Sequence, residues 1–311
     1  MPVSIGLPMP ELPDITLYIE ALEARVIGRT LASIRLASPF VLRSVDPKIA
    51  DVVGHEVIGL RRMGKRIVFA IEPDVFAVVH LMIAGRFQWK DEAKAKIPGK
   101  VGLLAFDFVS EDGAEHGTLL LTEASTKKRA SLHLVRGEAA LRDFDRGGLE
   151  PLGSTLEQFK DALTRERHTL KRALTDPRLF SGIGNAYSDE ILHRAKMSPV
   201  TRSDRLDDAA IATLHRATIE VLEEWIDRMR AELAGGFPAK VTAFRPEMAV
   251  HGKYGQPCPV CGTKVQRIVY AENESNYCPR CQTEGKLLAD RSLSRLLKGN
   301  WPKTIEELEG R

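Results

Sequence analysis

Met9-Pro10-Glu11-Leu12-Pro13-Asp14 holds the first pair of residues whose types suit chemistry. A proline directly behind a methionine becomes a free N-terminus once the initiator is removed, and the product is a secondary amine. Its pKa of roughly 7.7–8 leaves a useful fraction neutral and nucleophilic at pH 7. Glu11 would set a carboxyl group beside that amine, pairing a nucleophile with an acid/base. Eight residues, Met1 to Pro8, precede Met9, and while they stay attached Pro10 is a mid-chain amide that attacks nothing. Read by itself, the segment is more simply an extended, proline-shaped lead-in to a helix.

The second set is Cys258-Pro259-Val260-Cys261 and Cys278-Pro279-Arg280-Cys281, two C-x2-C pairs separated by 16 residues. Each pair suits a tight knuckle whose two thiolates point at one centre. Four soft ligands in a closed tetrahedron suit Zn2+, one ion per chain. A redox dithiol would account for one pair and not for two matched ones. A closed four-cysteine site keeps no open coordination position, so the metal would hold shape and not catalyse. Lys264, Arg267 and Arg280 lie in the same module and are available to nucleic acid.

A third candidate is Ser181-Gly182-Ile183-Gly184-Asn185, which sits between two helical stretches. Glycines permit close approach of the backbone to a ligand. Amides opening a helix form an anion site, favoured further by the helix dipole. No strand precedes the loop, which argues against a dinucleotide fold. A plain glycine turn between packed helices remains the alternative. Residues 165–205 carry nine Lys/Arg against five Asp/Glu, a balance suited to a phosphate backbone.

These groups need elements to place them. Ile15, Tyr18, Ile19, Leu22 and Val26 mark a helical stripe over 14–28. From about 31 to 137, β-branched or alternating runs (67–71, 75–81, 103–108, 119–121) broken by turns such as Asp112-Gly113 predict an antiparallel β domain. Gly147-Gly148, Pro151 and Gly153 mark a boundary. Residues 155–233 read as helical, with two helices between Leu206 and Leu233, and 235–238 close that region. A strand at 266–270 separates the cysteine pairs. The net charge of +3 leaves anionic partners to local patches rather than a global field. No apolar run approaches the roughly 20 residues of a membrane span, and the start lacks a signal-peptide pattern. The expected setting is cytoplasmic, beside the nucleoid if the source is bacterial.

Together these segments closely resemble the formamidopyrimidine-DNA glycosylase / endonuclease VIII family of base-excision repair enzymes. The resemblance runs from Met9 to about Gln282, through PELPD at 10–14, RRMGK at 61–65, HLMIAGRFQW at 80–89, DPRLFSGIGNAYSDEIL at 176–192 and the four cysteines. It implies a multi-domain α+β fold. An N-terminal antiparallel β-sandwich with flanking helices would occupy 9–147, a helix–two-turn–helix domain 148–240, and a zinc ribbon 248–284, with DNA between the domains. Residues 285–311 form a tail, and 1–8 read as a misassigned start or an extension, with Met9 the initiator. The implied partner is double-stranded DNA carrying damaged bases or abasic sites, bound by a monomer, with no membrane. Pro10 would attack the sugar C1′ of a flipped nucleotide, Glu11 would protonate the ring oxygen, and Lys65 would contact the neighbouring phosphate. Asn185 and the Gly182 and Gly184 amides would hold a phosphate, assisted by Lys171. Strand cleavage by β,δ-elimination would follow from the Schiff base. The rival reading is a damaged-DNA-binding protein without chemistry, if Pro10 is not the mature N-terminus.

Several positions depart from the family pattern. Asn273 stands where the family's zinc finger carries an arginine, which loses a forked phosphate contact. The purine-lesion branch fills the gap left by a flipped base with methionine, arginine and phenylalanine; the corresponding positions here are Ile83, Lys128 and Arg129. Residues 235–246 look short for the loop that covers 8-oxoguanine in that branch. In the tail, Leu287, Leu288, Leu293, Leu296 and Leu297 suit a docked helix.

Overall fold

The computed structural model describes residues 9–238, 241, 245–270, 273–289 and 302–309. The described residues pack as two compact units. One holds residues up to 146 together with those from 225 to 241; the other holds 147–224 and the described residues from 245 onward.

The first unit opens with α1, Leu12–Val26. Pro13 fits its first turn, where no backbone N–H is needed. The Glu11 N–H donates to Asp14 Oδ2 at 2.9 Å, closing the N-terminal end. At the other end the Arg25 guanidinium donates to the Ala21 carbonyl at 2.7 Å. Ile15, Tyr18, Leu22 and Val26 are fully buried, which is the helical stripe read from sequence. Eight strands follow: β1 Thr30–Leu36, β2 Val57–Met63, β3 Arg66–Ile71, β4 Val75–His80, β5 Gly85–Lys90, β6 Gly102–Val109, β7 His116–Glu123 and β8 Ser131–Arg136. They form two four-stranded antiparallel sheets, ordered β1-β6-β7-β5 and β2-β3-β4-β8. Alternating side chains from both sheets share one apolar core. Phe69 of β3 stacks on Phe106 of β6 with ring centres 5.6 Å apart, so the sheets meet face to face. Gly117 is required by close approach, because a Cβ there would lie 2.1 Å from the Trp89 ring. A short helix, α2 (Gly137–Arg142), closes the β region.

The second unit contains α3 Leu156–Thr164, α4 Leu170–Thr175 and α5 Asn185–Arg194. Thr155 and Gln158 form a reciprocal cap at the start of α3, each side chain bonded to the other's backbone N–H. The expectation of two helices between 206 and 233 is wrong. A single helix, α6, runs Asp208–Leu233, as far as Glu224 in the second unit and from Trp225 in the first. No glycine or proline interrupts it, and its buried Ile211, Leu214, Val221, Leu222, Trp225, Ile226 and Met229 keep a helical period throughout. The cysteine module is a hairpin of β9 (Gln266–Tyr270) and β10 (Asn273–Tyr277), followed by α7 (Pro279–Thr283).

Part of the tail is visible. The Leu287 N–H donates to the Lys303 carbonyl at 2.8 Å and the Ile305 N–H to the Gly285 carbonyl at 3.0 Å. A short helix, α8 (Ile305–Glu309), follows with Ile305 buried. The tail leucines Leu293, Leu296 and Leu297, residues 1–8 and most of 239–244 lie outside the described residues. Among the described residues no helix is long and apolar enough to cross a membrane.

Candidate functional site

In the first unit, Pro10 is buried and Glu11 is 2% exposed, immediately before α1. The Glu11 carbonyl accepts from the Ile15 N–H at 2.9 Å. Glu11 is therefore held by both its backbone N–H and its C=O, and the Pro10–Glu11 step is fixed to the helix start.

Lys65 stands at the tip of the β2–β3 hairpin. Met63 and Arg66 are the last paired residues, and Gly64 takes φ +62° at the first turn position, the geometry of a two-residue II′ turn. Its neighbours are committed elsewhere. Arg61 bonds Glu138 at 2.6 Å and lies over the Phe76 ring; Arg62 donates to the Gly64 carbonyl; Arg66 donates to the Phe144 carbonyl at 3.2 Å. Sequence reasoning missed His80, which the ladder register places directly across from Arg66. Burial, then the charges of Arg66 and Lys65, push its pKa down to about 4, so it is a neutral imidazole at pH 7. The available signal was a histidine ending an otherwise apolar strand, 75–80.

Ile83 and the Lys128–Arg129 loop leave the same end of one ladder, because Gly85 pairs with Glu123 in the β5–β7 register. The turn carrying half-buried Ile83 is held by Arg86, which donates to the Ile83 carbonyl at 3.1 Å and the Val241 carbonyl at 2.5 Å. The loop is organised by Glu123, only 1% exposed and also missed from sequence. Its carboxylate accepts from the N–H groups of Arg129 (2.8 Å) and Ala130 (3.0 Å). The Lys128 ammonium folds back onto the Glu123 carbonyl, while the Arg129 side chain is exposed.

In the second unit, Gly182 takes φ +79° and Gly184 precedes α5 as its N-cap, so Asn185 opens a ten-residue helix. Lys171 on α4 does not project freely. Its ammonium donates to the Asn185 carbonyl and to Asp189 Oδ1, both at 2.6 Å. Asp189 is fully buried and collects further bonds from His251 Nδ1 (2.8 Å), the Ser275 hydroxyl (3.2 Å) and the Asn276 amide (3.2 Å). Burial pushes the Asp189 carboxyl up, but Lys171 and His251 outweigh it and hold the group below the ordinary carboxylate range. Glu190 accepts from the N–H groups of Ala249, Val250 and His251 at 2.8–2.9 Å.

The cysteines meet as expected. The four sulfurs lie within 4.8 Å of one another and none is in a disulfide. Cys261 and Cys278 sulfurs are 3.4 Å apart, and those of Cys258 and Cys281 3.9 Å. Tetrahedral zinc with sulfur bonds of about 2.3 Å requires separations near ~3.8 Å, so the donor set fits a structural zinc ion. Asn273 begins β10 opposite Tyr270. Glu166, His168 and Asp176 also cluster, but Arg178 bridges both carboxylates at 3.3 and 2.7 Å, which makes this an ion-pair network.

Comparison with known proteins gives a consistent picture. Residues 9–130 match the family model described as the formamidopyrimidine-DNA glycosylase N-terminal domain, and residues 148–233 that of the formamidopyrimidine-DNA glycosylase H2TH domain. Residues 255–283 match a zinc finger found in FPG and IleRS. The formamidopyrimidine-DNA glycosylase of Heliobacterium modesticaldum is 30% identical over 282 residues, covering 88% of this chain and 100% of the relative. A formamidopyrimidine-DNA glycosylase-like protein of Mycobacterium tuberculosis is 40% identical over 151 residues, 49% of this chain and 94% of that protein. Among solved structures, Lactococcus lactis Fpg with abasic-site DNA is similar with a TM-score of 0.74 at 26% identity, covering 88% of this chain and 99% of that one. MutM with DNA containing carbocyclic 8-oxo-G is similar at 0.74 and 27% identity, covering 88% and 100%.

The half-buried imidazole across from Arg66 has a measurable consequence. Folded His80 stays neutral down to about pH 4, whereas the unfolded chain protonates it near ~6.5. Stability present above pH 6.5 is therefore lost as pH falls through that window, by on the order of 3 kcal/mol. His80→Gln is expected to flatten the pH 4–6.5 dependence of urea unfolding by about that amount. Parallel pH profiles for the two proteins would contradict the assignment.

Proposed function

The chain belongs to the formamidopyrimidine-DNA glycosylase family of base-excision-repair enzymes, and from that membership we propose that it removes oxidised or ring-opened bases from DNA and then cuts the cleared strand. Pro10, as a terminal secondary amine, attacks C1′ of the damaged nucleotide. The bond from C1′ to the base breaks, and the base departs with the bonding pair. Glu11 protonates the sugar ring oxygen, the ring opens, and nitrogen and C1′ are left joined as a Schiff base. Loss of a C2′ proton expels the 3′ phosphate, and a second elimination expels the 5′ phosphate.

What supports this reading above all is the Pro10–Glu11 pair, buried together and fixed at the start of α1. The match to the family's N-terminal domain begins at residue 9, which favours Met9 as the initiator and Pro10 as the mature end. Lys65, at its hairpin tip, contacts the phosphate beside the lesion. The Gly182 and Gly184 amides with Asn185 hold another phosphate. Lys171 assists by fixing the Asn185 carbonyl and balancing Asp189, rather than by touching DNA itself. Two of the related solved structures hold DNA with an abasic site and with Fapy-dG, and damaged duplex DNA is the partner proposed here. The zinc supplies shape to the finger and no chemistry to the reaction.

Ile83, Lys128 and Arg129 occupy the gap left by the flipped base. An aromatic wedge is absent from this set, and Lys128 is turned back on Glu123. We infer poor handling of 8-oxoguanine. From matched duplexes its excision is expected to be at least roughly tenfold slower than that of a ring-opened or oxidised pyrimidine, about 1.4 kcal/mol in barrier. Comparable rates for the two would refute this.

Borohydride reduction on abasic DNA tests the chemistry itself. A covalent protein–DNA adduct is expected, and it should vanish when a residue is retained ahead of Pro10, which turns its nitrogen into an amide. Binding of the same DNA by protein that begins at Pro10, with no adduct, would leave a damage-binding protein instead.

A further inference from the structure

His193 lies in the last turn of α5 and is 7% exposed. Its Nε2 is 3.3 Å from Cys258 Sγ, the separation of an N–H···S hydrogen bond. A cysteine sulfur bound to zinc is a thiolate, which accepts a hydrogen bond and has no proton to give. The shared hydrogen must therefore sit on Nε2.

The placement is not isolated. Asn185, Asp189 and His193 are spaced by four residues and so lie along one stripe of α5. Asp189 at the middle of the stripe bonds Ser275 and Asn276 of β10 and His251 ahead of the first cysteine pair. Adjacent Glu190 accepts three backbone N–H groups from 249–251. Gln282, next to Cys281, donates to the Met197 carbonyl just beyond α5 at 2.9 Å, while its side-chain oxygen accepts from the Cys278 N–H at 2.8 Å. The cysteine module is thus tied to α5 and the turn after it at several points, and His193 adds a tie to the sulfur of a metal ligand.

We propose that His193 donates a hydrogen bond to the zinc-bound thiolate of Cys258 and thereby controls how tightly the finger keeps its metal. Four thiolates around one Zn2+ carry excess negative charge. An N–H donor draws electron density from the sulfur it touches, which makes that sulfur harder to protonate or alkylate and so slows the step that frees it from the metal. Partners of metal ligands of this kind change metal affinity by about 10–100-fold when removed. The same bond anchors the end of α5 opposite Asn185, so metal occupancy and the order of the glycine-loop helix depend on each other.

The test uses the zinc-loaded full chain. Zinc transfer to a chromophoric chelator is expected to run at least about tenfold faster in His193→Phe. Iodoacetamide should modify Cys258 correspondingly faster. His193→Gln offers an amide N–H to the same sulfur and should recover most of the loss. Release from His193→Phe at the parental rate would overturn the proposal, as would equal release from the Phe and Gln variants. A measurement on the unsubstituted protein stands even if the variants misfold. Imidazole 15N shifts of His193 in the zinc-loaded protein should show hydrogen on Nε2; a bare or metal-bound Nε2 overturns it.

Discussion

A proline can act as a nucleophile only as the first residue of its chain, and the proposed function makes that constraint govern what the first unit must accomplish. A chain end is normally the loosest part of a protein. In the proposed reaction Pro10 has to be buried, held beside a carboxyl group and presented to a substrate. The fold meets this by starting α1 one residue after Glu11 and closing the step with Asp14. The helix in turn buries Ile15, Tyr18 and Leu22 completely in the core shared by the two sheets. Tyr18 also packs edge-on against Phe87 and accepts a bond from its backbone N–H at 3.3 Å. Order at Pro10 therefore derives from the sandwich core rather than from local sequence.

In the second unit the comparable element is the buried Asp189 carboxylate. A charge removed from water is tolerated only when it is paired and hydrogen-bonded, and deleting one partner of such a pair typically costs about 3–5 kcal/mol. Lys171 supplies the countercharge, and His251, Ser275 and Asn276 satisfy the remaining lone pairs. Satisfied in this way, the group joins α4, α5 and both sides of the cysteine module. The glycine loop that opens α5 is then supported by a metal-stabilised hairpin, so a structural zinc has a part in positioning groups assigned to phosphate.

The features readable in the sequence were those encoded locally. Strand runs such as 67–71 and 103–108, the helical stripe of α1 and the paired cysteine knuckles all carry their pattern within a few residues. β10 was missed because Asn273-Glu274-Ser275-Asn276 is polar and is held by its pairing with β9. The division of α6 into two helices was an error of expectation about length, not of pattern. Glu123, His80, Asp189 and His193 were not singled out, since their roles arise from contacts with residues brought close by the fold. His251 is 62 residues from Asp189, and Ser275 is 86 away. Lys171 was visible as a cation near the glycine loop, but only the fold shows that its charge is spent on Asp189.

The proposed chemistry requires Pro10 to be a free amine in the working protein. Intact mass with N-terminal sequencing of the protein purified from its native source tests it most directly. The expected first residue is Pro10, which follows removal of Met9. A mature chain beginning at Met1 or Pro2 would contradict the claim, because Pro10 would then be an amide with no lone pair to offer C1′.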